Sequence, residues 1–183
     1  AEEAPRLKPF AALAEKLGAF AGQIVDEGLE EVEIEYEGEV AKLNMKPLTA
    51  SVLAGLLRPL LQDVNVVSAP AILKERGVPL TESVRESSPI YDSLIRIKVK
   101  TGGKWRSLAG AVVAGQPKIA EVKNMQLEAH FHPVMLFVNN SDKPGFIGAL
   151  GTMLADAKIN IATFHLGRKA RVKMRLRSWA WIK

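Results

Sequence analysis

The stretch "EEVEIEYEGEV", residues 30–40, constrains the fold of this chain most, because apolar and acidic side chains alternate along it. Val32, Ile34 and Tyr36 face one way and the glutamates between them face the other, which is the period of a β-strand. The pattern predicts a strand with one buried face. We expect the acidic face to be a solvated sheet surface and not a polyanion that binds a partner.

Helical periodicity flanks this strand on both sides. Residues 10–26 repeat apolar side chains at helical spacing, which predicts an amphipathic helix with Pro9 suited to its first turn. Residues 48–62 predict a second helix with a wide leucine stripe, and Pro59 should bend it or end it early. The segment "APAILKERG" suggests a short third helix that ends at Gly77.

The rest of the chain favours strands, followed by one more helix. Four further strands are predicted at residues 78–85, 92–101, 104–114 and 117–125, with Gly102-Gly103 as a hairpin turn. Strand 133–139, helix 144–157 and strand 159–165 follow. This order predicts an α+β fold, with a mixed sheet up to about residue 130 and then a separate βαβ unit.

The composition and the missing motifs exclude several classes of protein. The chain has no cysteine, which excludes disulfides, thiolate metal sites and cysteine nucleophiles. No apolar run reaches the ~18 residues of a membrane span, and no secretion leader is present, so we expect a cytoplasmic location. The motifs G-x-G-x-x-G, P-loop, H-E-x-x-H and G-x-S-x-G are absent as well. We therefore predict no catalytic residue in this chain.

The histidines are the remaining candidates for metal or acid–base chemistry. On a strand, His130 and His132 would face the same side as Glu128, and two imidazoles can begin a zinc site. Nothing nearby completes four ligands, so we interpret them as surface or linker histidines and predict no metal site.

The segment "FVNNSDKPGFIGALGTMLADAKIN", residues 137–160, is the best candidate binding site. A strand delivers Asn140 and Asp142 to the start of a helix, where Pro144 suits the first turn and Gly145 lets a ligand approach the backbone. The helix start suits a carboxylate, whereas the aspartate and the asparagines suit an ammonium group and a hydroxyl. A small amino acid carries all three groups. An Asx cap without any ligand fits the spacing equally well.

Glycines recur at every third position of this predicted helix, at Gly145, Gly148 and Gly151. Glycines spaced within a helix cannot form the loop that cradles a phosphate. We expect them to permit close packing of this helix.

These residues resemble an ACT domain, a small-molecule sensing module, in the version found in D-3-phosphoglycerate dehydrogenase. The signature "DKPG" at residues 142–145 precedes an apolar helix and "KINIATFHLGR". Upstream, "GEVAKLNMKPLTASVLAGLLRPLLQDVNVVSAPAILKERGV" looks like the intervening, or allosteric substrate binding, domain of the long-form enzymes. The segment "LKPFAALAEKLGAFAGQI" looks like the helix that ends their catalytic region. The resemblance covers roughly residues 5–168.

The resemblance implies four segments and a regulatory role. They are residues 1–27 (end of the catalytic-region helix), 28–130 (intervening domain), 131–168 (incomplete ferredoxin-like ACT unit) and 169–183 (basic tail). The family enzyme uses NAD to oxidise 3-phosphoglycerate in L-serine biosynthesis, and its catalytic and NAD-binding parts lie outside these segments. The resemblance thus implies a regulatory C-terminal fragment that binds no cofactor and is inactive alone.

The resemblance also implies ligand contacts. Serine binds between paired ACT domains, with Asn140 and Asp142 on one side and Asn160 supplied by the partner. This arrangement implies a homo-oligomer through the ACT and intervening domains. Lys118 matches a basic residue that binds an anion in some intervening domains, and His130 stands where an arginine is expected.

The basic tail does not continue the ACT pattern. Residues 168–183 hold seven lysines and arginines and no acid, and the rest of the chain holds 18 basic and 20 acidic residues. Written in GC-rich codons and read in another frame, "ARVKMRLRSWAWIK" becomes Ala-Gly-Glu-Asp-Ala-Leu-Ala-Leu-Val-Gly-Val-Asp-Gln, a turn and an apolar strand. We therefore interpret residues 169–183 as out of frame, and predict no nucleic-acid or membrane partner, although an amphipathic anchor has a similar composition.

Three other functions fit parts of the sequence. The first is a free-standing amino-acid-binding ACT-type module without enzyme activity. A nucleic-acid or membrane-surface binder rests on the tail alone and would bind in a salt-dependent way. The third is an oxidoreductase, which a dehydrogenase assay with NAD tests.

Overall fold

The computed structural model describes residues 3–139 and 143–167. The chain divides into two compact units, Ala1–Leu136 and Phe137–Lys183, which we describe separately. In the first unit, the described elements follow one another as α1 (Glu3–Gln23), β1 (Glu31–Gly38), a 3-10 turn (Glu39–Lys42), α2 (Met45–Leu57), α3 (Ala69–Glu75), β2 (Leu80–Arg85), β3 (Ser93–Thr101), β4 (Lys104–Val113), β5 (Gln116–Val122) and β6 (Met125–His130). In the second unit, α4 spans Phe146–Asp156.

The six strands form one mixed sheet in the order β2-β1-β3-β4-β5-β6. Strands β1 and β2 are parallel, and the other neighbours are antiparallel. A parallel pair needs a crossover connection, which α2 and α3 supply here. The predicted α+β class with a mixed sheet is therefore confirmed.

The apolar face of β1 forms the centre of the core, as the alternation predicts. Its residues Val32, Ile34 and Tyr36 are fully buried, and they pair with the buried Val99, Ile97 and Ile95 of β3. Helices α1 and α2 cover this face of the sheet. A Cβ atom at Gly110 of β4 would lie 2.7 Å from Leu13 of α1, so the helix rests directly on that strand.

Glycines allow α1 and α2 to pack with their backbones in contact. A Cβ atom at Gly18 of α1 would lie 2.9 Å from the carbonyl carbon of Val52, and closer still to its oxygen. A Cβ atom at Gly55 of α2 would lie 2.8 Å from the backbone nitrogen of Ala19. We expected this role for glycines in α4, which was wrong. A Cβ atom at Gly145, Gly148 or Gly151 would meet no described atom within 4 Å.

Several boundaries differ from the expected ones. Helix α1 begins at Glu3, so Pro9 lies inside it and not in its first turn. The run predicted as strand 117–125 is interrupted by a turn at Lys123-Asn124, where both residues have positive φ, and β6 begins beyond it. Helix α2 ends at Leu57, two residues before Pro59, as predicted.

Of the elements predicted after residue 130, the helix is confirmed and the two strands are not. Helix α4 lies within the predicted range 144–157, and none of its residues is buried. The segments predicted as strands, 133–139 and 159–165, contain no strand. A strand needs a hydrogen-bonded neighbour, and no residue of either segment is assigned to a strand. The ferredoxin-like ACT arrangement stays a prediction.

A buried hydroxyl chain ties the edge strand β2 to the core. The Tyr36 hydroxyl lies 2.7 Å from Thr49 Oγ1, and the Thr49 hydroxyl donates to the Glu82 carboxylate. Since the threonine proton is engaged by Glu82, the tyrosine donates to the threonine. Burial raises the pKa of Tyr36, so the phenol stays neutral and needs an acceptor.

We expect Thr49→Val to lower the free energy of unfolding by about 1–3 kcal/mol, because it leaves the buried Tyr36 hydroxyl without a partner. Urea unfolding measures this loss. The double variant Tyr36→Phe/Thr49→Val removes both polar partners and should recover most of it. A double variant less stable than Thr49→Val alone would contradict this account.

Candidate functional site

The sheet face that points away from α1 and α2 carries charges of opposite sign on neighbouring strands. Glu31, Glu33 and Glu35 of β1 stand opposite Lys100, Lys98 and Arg96 of β3, respectively. Lys98 Nζ lies 3.1 Å from Glu33 Oε2, and Lys100 Nζ lies 3.9 Å from Glu31 Oε2. We call this surface the charged face.

The prediction of a solvated acidic surface was wrong at one end of the charged face. Glu35 is 8% exposed and Glu37 is 2% exposed. A signal for this burial was present in the sequence, because "RIKVK" at residues 96–100 alternates basic and apolar residues as β1 alternates acidic and apolar ones. Two such strands, paired in register, neutralise each other.

Arg96 is the centre of a cluster of buried charges. Its Nε lies 3.4 Å from Glu37 Oε1 and 3.7 Å from Glu35 Oε1, and its Nη1 bonds Glu121 of β5. Arg85 of β2 reaches in from the edge strand and places its Nε 3.1 Å from Glu35 Oε1. These five residues form what we call the carboxylate cluster.

Burial and mutual contact shift the ionisation of the carboxylate cluster. Burial raises the pKa of Glu37, the hydrogen bond with Glu35 raises it further, and Arg96 opposes the shift. Burial disfavours the charged form of Arg96, but Glu121 and Glu37 outweigh it and hold the pKa of Arg96 above its usual value. The guanidinium is therefore a fixed positive charge, whereas Glu37 is a carboxyl that binds a proton readily.

Residues 86–92 cover this end of the charged face. Together with the sheet they enclose a small cleft, lined by Glu37, Ser88, Pro89, Ile90, Tyr91, Leu94, Arg96, Ala120, Glu121 and Gln126. An apolar group of Leu94, Ala109, Ala111 and Ala120 packs beside it, against Tyr91 and Val113. Glu37 and Glu121 of the cleft bind Arg96, whereas the buried Ser88 hydroxyl has no hydrogen-bond partner among the described residues, and these groups form no nucleophile–base pair.

The two predicted anion-binding residues are brought together by the sheet. Lys118 of β5 and His130 of β6 stand directly opposite each other. However, Lys118 Nζ lies 2.5 Å from Glu128 Oε1, and this bond lowers the pKa of the glutamate. Since Glu128 already neutralises the lysine, an anion would have to displace a carboxylate to bind there.

The histidines do not form the strand pair considered above. Strand β6 ends at His130, so His132 lies beyond it, with the ring centroids 6.5 Å apart. Among the described residues, no three His, Cys, Asp or Glu side chains come together as a metal site requires. His165 belongs to the second unit.

The predicted serine contacts are described only in part. Asn140, Asp142 and the tail 169–183 lie outside the described residues, and Asn160 is exposed. At the start of α4, Gly145 is the N-cap with φ 90°, and no described side chain caps the helix there. A Cβ atom at this glycine would meet no described atom within 4 Å, so the backbone is accessible.

The described residues do not fit NAD. Dinucleotide folds place a glycine-rich turn after a strand of a parallel sheet. In the described part of the chain only β1 and β2 are parallel, and the turn motif is missing from the sequence. Within residues 3–139 and 143–167, no helix has the length and apolar character of a membrane span.

The fold and the charged face define a small α+β domain with a mixed sheet, one face of which carries a network of ion pairs. Comparison with known families agrees with this class. The family model for the D-3-phosphoglycerate dehydrogenase intervening domain matches residues 6–123, so the chain belongs to that family.

Curated relatives extend the similarity. The D-3-phosphoglycerate dehydrogenase of Bacillus subtilis is 33% identical over 175 residues, which cover 93% of this chain and 33% of the relative. The enzyme of that name from Methanocaldococcus jannaschii is 36% identical over 169 residues, covering 92% of this chain and 32% of the relative. The chain spans about a third of the length of the curated relatives it matches.

Proposed function

We propose that this chain is the regulatory C-terminal part of an NAD-dependent D-3-phosphoglycerate dehydrogenase of L-serine biosynthesis, acting in the cytoplasm. The observation that carries the proposal is the match of the intervening-domain family over residues 6–123. The relatives are about three times longer, which agrees with catalytic groups and an NAD site supplied by other segments of the enzyme.

The ligand of the second unit is L-serine in this proposal. The start of α4 supports it, because no described side chain caps the helix there and no described atom lies within 4 Å of a Cβ atom at Gly145. Such a helix start suits a carboxylate. Asn140 and Asp142, a few residues upstream, would take the hydroxyl and the ammonium group, and Asn160 would come from a second copy. The functional form is accordingly a homo-oligomer.

Serine titration by calorimetry tests this function. We compare this chain with a second version. In that version, residues 170–183 are replaced by Ala-Gly-Glu-Asp-Ala-Leu-Ala-Leu-Val-Gly-Val-Asp-Gln, the sequence obtained above from the other reading frame. Serine should bind the second version with at least tenfold higher affinity, because the added turn and strand would give the strand-like segments 133–139 and 159–165 a partner to pair with. Equal binding by both would show that residues 137–167 suffice for the site.

Two substitutions in the better-binding version locate the ligand. Asp142→Ala removes the proposed ammonium contact and should weaken serine binding at least tenfold, since a charge-assisted hydrogen bond is lost. Asp156→Ala removes the same charge from the last turn of α4, where the residue is exposed, and should leave binding unchanged. Absence of serine binding in both versions, or equal weakening by the two substitutions, would refute the serine site.

A further inference from the structure

The carboxylate cluster contains more carboxylates than cations. Glu35, Glu37 and Glu121 contribute three negative charges when ionised, whereas Arg96 and Arg85 contribute two positive ones. Glu33 does not change this balance, because it pairs with Lys98. Burying an uncompensated charge is costly, so the cluster is neutral only when it holds one proton.

The other elements add no further charge to the lining of the cleft at Glu37, because Glu86 and Asp92 of segment 86–92 are exposed and lie outside that lining. Segment 86–92 lines the cleft with Ser88, Pro89, Ile90 and Tyr91, and β6 contributes Gln126. None of these side chains is charged at neutral pH. Glu37 is the least exposed carboxyl of the cluster and lies between the Glu35 carboxylate and Arg96. It is therefore the group that takes the proton.

Arg85 is the cation of the cluster that can leave. Its side chain is 65% exposed, whereas that of Arg96 is 18% exposed. Arg85 ends β2, an edge strand with every residue exposed and a single neighbour, β1. Besides the backbone pairing with β1, two polar side-chain contacts hold β2 in the described structure, Thr49 to Glu82 and Arg85 to Glu35.

We propose that Glu37 is a proton-controlled latch for the edge strand β2. As the pH falls, Glu37 takes up a proton and donates it in a hydrogen bond to Glu35, and the cluster loses one negative charge. The weaker field reduces the attraction of Glu35 for Arg85, so β2 opens more often and uncovers the backbone edge of β1. Thermodynamic linkage requires the reciprocal effect: when Arg85 is bound to Glu35, it opposes protonation of Glu37.

Amide hydrogen exchange of this chain, followed residue by residue by NMR, tests the latch. After correction for intrinsic exchange, the equilibrium constant for opening of the β2 amides should increase about two- to fivefold when the pH is lowered from about 7.5 to about 5. An increase of this size matches the free energy of an exposed ion pair. The amides of β3 in the same sheet are the internal reference and should not change. In Glu37→Gln, which cannot ionise, opening of β2 should be independent of pH.

The reciprocal measurement stays informative if Glu37→Gln fails to fold. Arg85→Gln, at an exposed position, should raise the titration midpoint of the Glu37 carboxyl carbon, whereas Arg76→Gln, at the residue directly after α3, should leave it unchanged. Two results would overturn the proposal. In the first, opening of β2 in the wild-type chain does not depend on pH. In the second, Arg85→Gln does not change the titration midpoint of Glu37.

Discussion

Gly55→Ala is expected to lower the free energy of unfolding by about 3 kcal/mol, the upper part of the range for overpacked cores. The added methyl group would lie 2.8 Å from the backbone nitrogen of Ala19 and closer still to the carbonyl oxygen of Glu15. Both atoms belong to the backbone of α1, so no side-chain rotation relieves the overlap. Helices α1 and α2 must separate, and the core beneath them loses contact.

Helix propensity alone predicts the opposite sign. Glycine to alanine inside a helix ordinarily stabilises it by about 0.5–1 kcal/mol. Gly151→Ala in α4 is the matched control, because a Cβ atom there meets no described atom within 4 Å. Thermal and urea unfolding should be followed by helicity for both variants. Gly55→Ala should lower the free energy of unfolding, whereas Gly151→Ala should raise it or leave it unchanged. If both variants gain stability, the backbone contact between α1 and α2 at Gly55 is contradicted.

Arg96→Met is expected to lower the free energy of unfolding at neutral pH by about 3–5 kcal/mol, the usual cost of leaving buried charges unpaired. The methionine fills much of the space of the arginine, but Glu37, Glu35 and Glu121 lose their shared cation. Lys98→Met is the control on the same strand and face. Its partner Glu33 is about one-third exposed, so the loss should be below about 1 kcal/mol.

The pH dependence of Arg96→Met separates charge from packing. Arg96 lowers the pKa of Glu37, so its removal leaves that carboxyl with a pKa even further above the ordinary 4.5. A raised carboxyl pKa means that the folded state binds more protons than the unfolded state just above pH 4.5, so stability falls as the pH rises through that window. Urea unfolding at about pH 5 should therefore recover part of the loss seen at about pH 7.5. A loss that grows on acidification would contradict the unpaired-charge account.

Local periodicity was sufficient to predict most of the elements of the first unit. The alternation around Ile34 is compatible with a strand and not with a helix, and Pro59 marks the end of α2 because proline cannot continue a helix. It failed at Lys123-Asn124, where two non-glycine residues with positive φ make a turn inside an apparently continuous strand. It also failed at residues 133–139 and 159–165, whose strand-like pattern finds no partner strand in the described structure.

The candidate site was less predictable than the fold. Lys118 and His130 are opposite each other, as a shared site requires, but Glu128 was not foreseen as the partner of the lysine. The carboxylate cluster was missed, because its members come from four strands and its charges look like a solvated surface when each strand is read alone. The complementary alternation of β1 and β3 was the available signal.

The sequence by itself determined most helices and strands of the first unit, and which side of β1 is apolar, because these properties depend on residues a few positions apart. Only the tertiary structure decided that Glu35 and Glu37 are buried, because burial required Arg96 and Arg85 to arrive from β3 and β2 in the correct register. Only the tertiary structure likewise decided that residue 55 must be glycine, because the backbone of α1 occupies the space that a side chain there would need. Local sequence therefore encodes the period of each element, whereas the register and approach of distant elements determine which charges and glycines matter.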